Sequence, residues 1–317
     1  MRPIQGLHHI TAVASDPQAN VDFYVDVLGQ RLVKTTVNFD DPGTYHLYYG
    51  DEVGTPGTAL TFFPWRHMHR GRVGSGETSA MAYAVRPESL DWWRDRLRAH
   101  DVTVFEPGKR FGEDVLQFED PDGMTVEIVG TIDPSTIQFW QDGPIPEEHA
   151  LRGFHSVTLL LERVEGTSDV LTDQLGYVLH GQEGGRYRYR GASDDRGLYV
   201  DLEIRPETGR GAFGAGSIHH IAFRTVDDDE QIEYLRALRG AGLQVTPVQD
   251  RQYFHSIYFR EPGGVLFEVA TDAPGFTLDE TVESLGTALK LPAWYERMRH
   301  QIEARLPAIE RKTYSKS

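Results

Sequence analysis

The chain has 317 residues, 39% of them hydrophobic and 11% aromatic, which is enough apolar material for one large folded domain or two. Its formal charge of −16 argues against nucleic acid or an anionic membrane surface as a partner, and no apolar run approaches the ~18–20 residues of a membrane span. With no cysteine, disulfides, thiolate nucleophiles, iron–sulfur clusters and Cys-based zinc sites are excluded, so any metal has to be held by imidazole or oxygen. The N-terminus enters a strand-like run at Gly6 without a secretory pattern, which gives the expectation of a cytoplasmic location.

In chain order, one unit recurs four times: a short strand, a helix, then strands ending in a Gly-led apolar run. The first unit opens with Gly6-Leu7-His8-His9-Ile10-Thr11, continues into a helix predicted over 17–28, and closes near 57–63. The second opens at 79–85, carries a helix over 87–100, and closes with Asp120-Pro121-Asp122-Gly123-Met124-Thr125-Val126-Glu127. A stretch over 131–150 with three prolines and little periodicity reads as a linker. The third unit opens with Gly153-Phe154-His155-Ser156, has its helix near 168–175 and closes near 197–204. The fourth opens with Ser217-Ile218-His219-His220-Ile221, has a helix over 227–241, and closes with Glu261-Pro262-Gly263-Gly264-Val265-Leu266-Phe267-Glu268. The acidic-Pro turns pre-set the chain reversal, and Gly supplies the positive φ. Beyond Pro274 the pattern turns helical, at 285–289 and 294–309, in a tail expected to pack on the surface or on a second subunit.

These units predict an α+β fold of four βαβββ modules forming two half-open mixed-sheet barrels, with a helical C-terminal tail. The expected division is 1–130 and 151–275, two modules each, a linker over 131–150 and a tail over 276–317. At one opening-strand position the units carry His9, Ala80, Ser156 and His220; at one closing-strand position they carry Thr61, Glu127, Asp201 and Glu268. Units one and four together offer two His and one Glu, the ligand set of a facial triad with open coordination positions. A single buried histidine is ordinarily a core residue, but two His-His pairs at equivalent positions with a matched Glu point to a metal. A rival pairing of units three and four would bring in His155, which aligns with His8 and needs a one-residue shift to the other face of its strand.

At these residues the chain resembles the vicinal-oxygen-chelate superfamily of glyoxalases, bleomycin-resistance proteins and extradiol dioxygenases. It is most similar to ring-cleaving dioxygenases of hydroquinones and chlorohydroquinones. The resemblance runs from Gly6 to about Leu289, on Leu7-His8-His9-Ile10-Thr11, Tyr45-His46-Leu47-Tyr48-Tyr49, Gly54-Thr55-Pro56-Gly57-Thr58, Arg152-Gly153-Phe154-His155-Ser156, His219-His220, Tyr258, Pro262-Gly263-Gly264-Val265, Phe267-Glu268 and Ser284-Leu285-Gly286. It implies a glyoxalase-like fold and Fe(II) bound by His9, His220 and Glu268, with His8, Thr11, His219, Arg251 and Tyr258 as supporting catalytic residues.

The activity so implied is an Fe(II)-dependent, extradiol-type cleavage of a small hydroquinone-like or catechol-like ring with O2. His8 or His219 is then a candidate acid or base, or an orienter of the ligands. Arg251 is a candidate partner for an anionic oxygen, Tyr258 a donor on the strand beside Glu268, and Thr11 a residue expected to point into the cavity. The donor set also admits Mn(II), Zn(II) or Ni(II), which keeps two alternatives: a glyoxalase-like lyase or isomerase, and a quinone- or drug-binding protein without turnover. The sequence leaves a homo-oligomer open.

Overall fold

The computed structural model describes residues 1–132, 137–312 and 314. Each unit supplies four strands. The first gives β1 (Leu7–Ala14), β2 (Arg31–Asn38), β3 (Asp41–Gly50) and β4 (Ala59–Pro64); the second gives β5 (Glu77–Val85), β6 (Gly108–Arg110), β7 (Glu113–Glu119) and β8 (Thr125–Gly130). The third gives β9 (Phe154–Leu161), β10 (Val178–Glu183), β11 (Arg186–Arg190) and β12 (Tyr199–Ile204); the fourth gives β13 (Ile218–Thr225), β14 (Gln249–Asp250), β15 (Phe254–Arg260) and β16 (Leu266–Pro274). The helices after the opening strands are α1 (Pro17–Val21), α2 (Leu90–Ala99), α3 (Thr167–Asp169) and α4 (Asp228–Gly240). α1 and α3 widen at once into π-helical turns, Asp22–Val27 and Val170–Gln174. Asp16 and Asp227 cap α1 and α4, each side chain accepting from the backbone N–H three residues on.

Two eight-stranded sheets result, in the orders β14-β15-β16-β13-β1-β4-β3-β2 and β10-β11-β12-β9-β5-β8-β7-β6. The first is built from units one and four, the second from units two and three. The adjacent-unit pairing that would have recruited His155 is therefore not the one adopted, and each sheet draws on both sequence halves. At each centre two opening strands run antiparallel, β1 with β13 and β5 with β9, and each is flanked by its own closing strand in parallel. One continuous core takes Tyr24, Phe62, Met81, Phe118, Phe154, Leu171, Phe223 and Tyr234 from all four units.

The acidic-Pro turns are set as the sequence suggests. Asp120 accepts from the N–H of Asp122 and Met124 and from the Tyr24 hydroxyl. Glu261 accepts from the N–H of Gly263 and Val265 and from the Thr167 hydroxyl. Each turn is thereby tied to the helix of the preceding unit, which fixes where the closing strand starts and where Glu127 and Glu268 fall.

Two segments differ from expectation. Residues 133–136 of the linker lie outside the described residues, and 137–150 is packed down: the Gln138 carbonyl accepts from Glu52 N at 2.7 Å, and Ile145 is buried against Gly29. The tail is less helical than its periodicity predicts. Leu289 bridges Thr35 of β2 in parallel, and of 294–309 only a 3₁₀ turn at Glu296–Met298 and α5 (Arg299–Glu303) are helical. The open edge of β2 offers backbone hydrogen bonds that compete with helix formation, and the tail takes them on its own first sheet. Residues 313 and 315–317 lie outside the described residues.

Candidate metal centre

The centre of the first sheet brings His9 (β1), His220 (β13) and Glu268 (β16) together, with one donor atom of each lying within 4.8 Å of the others. All three are buried. Both Nε2 atoms face Glu268 Oε2, His9 at 3.3 Å and His220 at 2.9 Å. Yet that oxygen has no hydrogen bond of proper direction, and it is a buried orphan. Two imidazole nitrogens and a carboxylate oxygen converging on one point, with the oxygen otherwise unsatisfied, fit a divalent ion. Glu268 is held well below the usual carboxylate range: burial opposes ionisation, but positive charge facing it from His9 and His220, when these are protonated, outweighs it. Its other oxygen accepts from the buried Ser256 hydroxyl on β15.

The preceding histidines hold the rings. His8 Nδ1 lies 2.9 Å from His9 Nδ1, and His219 Nδ1 lies 2.7 Å from His220 Nδ1. Consecutive strand residues ordinarily face opposite ways. Here the β1–β13 register skips from Leu7 to His9 and, on the partner, from His220 to Ile218, so His8 and His219 are each the extra residue of a bulge. Burial, reinforced by the neighbouring imidazole, lowers His8 well below its ordinary value and His219 to about 3. Both are therefore neutral, and their Nδ1 can accept from Nδ1–H of His9 and His220, which would leave the Nε2 lone pairs of those two rings free for a metal.

Over the triad lies a cavity of about 410 Å³ with aromatic walls from Phe39, His46, Tyr48, Phe63, Trp65, Phe254 and Tyr258. Arg251 lines it too, donating from Nε to the Tyr258 hydroxyl at 3.2 Å and from a terminal nitrogen to Asp40 at 3.2 Å. Burial, with Glu268 adding to it, raises Tyr258 so that the phenol stays protonated. Thr61 occupies the first unit's closing-strand position and supplies no carboxylate. Its hydroxyl is engaged by Thr11 at 2.8 Å and by His46 Nε2 at 2.9 Å, and His46 Nδ1 pairs with the Tyr48 hydroxyl at 2.8 Å.

The family model described as Glyoxalase/Bleomycin resistance protein/Dioxygenase superfamily matches residues 6–128 and 135–269. The chain belongs to that superfamily. It is 47% identical to the provisionally named ring-cleaving dioxygenase MhqO of Bacillus subtilis over 96% of each chain. It is 39% identical to the chlorohydroquinone/hydroquinone 1,2-dioxygenase of Sphingobium indicum, over 94% of this chain and 95% of that one. A crystal structure of a provisionally assigned Bacillus subtilis dioxygenase superposes with a TM-score of 0.94 at 46% identity, covering 98% and 99%. Glyoxalase I from Zea mays, 16% identical, shares the fold with a TM-score of 0.61 over 84% of this chain and 92% of its own.

Within this superfamily member, most residues singled out in the sequence converge. Thr11 differs from expectation: it is fully buried, absent from the cavity lining, and tied to Thr61. His8 likewise stands behind His9 and does not line the cavity, whereas His219 does. Ser256, Phe39, Phe63 and Phe254 carried no sequence signal beyond strand alternation, and His46 and Tyr48 stood in a stretch that carried the resemblance without a role assigned to them. The second sheet holds Ala80, Ser156, Glu127 and Asp201 at the equivalent positions. There Arg110 grips Glu127 and Arg188 grips Asp201, each with two nitrogens, so guanidinium groups neutralise both carboxylates. His155 is the bulge residue of β9, and it bonds Ser156 and Glu113. Burial opposes ionisation of Glu113, but His155 and Arg188 hold it down at about 2. Among the described residues, the triad is the cluster that offers a metal three convergent donors.

Proposed function

We propose that this protein is an Fe(II)-dependent ring-cleaving dioxygenase in which His9, His220 and Glu268 hold the metal. Its substrate is a hydroquinone-like or catechol-like ring, opened by O2 beside a hydroxyl-bearing carbon in the extradiol manner. The observation that carries this reading is the unsatisfied Glu268 oxygen facing two imidazole nitrogens at the floor of an aromatic-walled cavity. The relatives named as ring-cleaving dioxygenases support the reaction class. Bound iron supplies Lewis acidity toward a phenolic oxygen and redox chemistry toward O2.

The chain's own residues do the rest. Two neutral imidazoles and one carboxylate leave a divalent ion with one net positive charge, which suits a phenolate. Phe39, Phe63 and Trp65 flank the ring and exclude water. Arg251 fixes the Tyr258 hydroxyl and adds positive charge for an anionic oxygen, while the protonated Tyr258 donates to it. His219, neutral and at the cavity wall, has its Nδ1 lone pair engaged by His220 and presents Nε2–H as a donor to a substrate oxygen.

Metal analysis coupled to oxygen uptake tests this. Protein loaded anaerobically with Fe(II) should consume O2 when hydroquinones or catechols are added. His9→Ala should lose iron, and its rate should fall by more than the about 10–100-fold typical of a supporting residue. His155→Ala should keep both. An iron-filled protein inert to a broad panel of such rings would defeat the proposal.

A further inference from the structure

Taking the cavity over the triad as the substrate pocket of the proposed reaction, we propose that the C-terminal segment over 276–311 is a specificity element of that pocket. It straps β2 and so fixes where the β2–β3 turn places Phe39 and Asp40 in the cavity wall. Trp294 and Tyr295 are its positioning residues.

The two sheets provide an internal comparison. β2 and β10 are the corresponding outer strands of units one and three. Every residue of β2 is buried, whereas Val178 and Leu179 of β10 are 66% and 52% exposed. The tail makes the difference. Lys290 N donates to the Thr35 carbonyl at 2.9 Å, extending the sheet beyond β2. Lys34, wholly buried, places its ammonium 2.5 Å from both Asp279 and Glu280. Arg31 donates to the Val282 carbonyl at 2.5 Å. Gly286, at φ +73°, lies so close to Leu32 that a Cβ would overlap the Leu32 carbonyl oxygen.

Past this anchor the strap reaches the turn. The Tyr295 hydroxyl donates to the Phe39 carbonyl at 2.8 Å, and the Trp294 ring meets the Phe39 ring edge-on at 5.6 Å. Val37, Leu291 and Ile302 form a small core beneath, with Phe39 packed on it. Phe39 and Asp40 both line the cavity. Asp40 continues through Arg251 to the Tyr258 hydroxyl, and the Tyr258 ring stands 5.6 Å from that of His220. No described tail residue lines the cavity itself, so the tail acts through the turn. In an apolar pocket, room for one methylene-sized group is worth roughly 10–200-fold in discrimination. A wall that is free to move loses that discrimination.

The test uses the full chain, loaded with iron, carrying Trp294→Ala with Tyr295→Phe. Hydrogen exchange over residues 36–44 should rise while exchange in β13 and β16, and the iron content, stay unchanged. KM for hydroquinone, and its anaerobic calorimetric Kd, should rise by roughly threefold or more with kcat nearly constant, the pattern of a lost positioning contact. The preference between hydroquinone and methylhydroquinone should shift with them. Unchanged exchange over 36–44 overturns the strap. Raised exchange with unaltered KM, Kd and preference overturns its role in the pocket. Should the parent protein neither bind nor turn over hydroquinones, the reading of the function fails separately, and the exchange measurement alone decides whether the tail holds the turn.

Discussion

Glu268 shows at the scale of one residue how the site is paid for. A wholly buried carboxylate is costly unless its oxygens are matched, and here one oxygen is matched by Ser256 while the other has no hydrogen-bond partner, the place the proposed metal would fill. Ser256 sits two residues before Tyr258 on β15, and Tyr258 is the cross-strand partner of Glu268, so all three share one face of the sheet. Without its hydroxyl the carboxylate could rotate away from the imidazoles. Ser256→Ala is expected to weaken metal binding by roughly 10–100-fold in a chelator competition, with the circular dichroism spectrum unchanged. Full affinity in that variant would mean that the imidazoles alone orient Glu268. The residue scale also shows what two adjacent histidines can do: the bulges at His8 and His219 turn a sequence doublet into a candidate ligand and the residue that holds its ring. The doublets are plain in the sequence, but the bulge that gives them unequal roles is a property of strand register.

At the scale of elements, the opening strands, the closing strands and the acidic-Pro turns follow from local signals, because alternation and turn chemistry are local. The tail does not. Its helical periodicity over 285–289 is overridden by the edge of β2, an element some 250 residues earlier in the chain. Lys34 is the test of that docking, since its ammonium is the buried counter-charge for Asp279 and Glu280. Lys34→Met should lower the free energy of unfolding in urea by about 3 kcal/mol, the scale for stranding a buried carboxylate, while iron content holds. A loss below about 1 kcal/mol would mean that water replaces the ammonium there.

At the scale of the whole molecule, the decisive feature is pairing across the sequence halves. β1 and β5 lie in the first half, and their central partners β13 and β9 lie in the second. A fragment of residues 1–132 therefore has two seam strands without partners. It should show no cooperative unfolding and bind no iron, and it should regain both when mixed with the remainder of the chain. A fragment that folds cooperatively as a monomer would show that β1 and β5 can pair with each other. The sequence by itself determined the fourfold unit and the residue types of the candidate triad, with His at the aligned opening-strand position in units one and four and Ala80 and Ser156 in units two and three; these rest on composition and short-range pattern. Tertiary structure alone decided that β13 is the neighbour of β1, so that His155 stands in the other sheet, that Thr11 faces Thr61 instead of the cavity, and that the tail is a strap. Those outcomes depend on contacts between residues far apart in the chain, where register and edge exposure, not local pattern, set the lowest free energy.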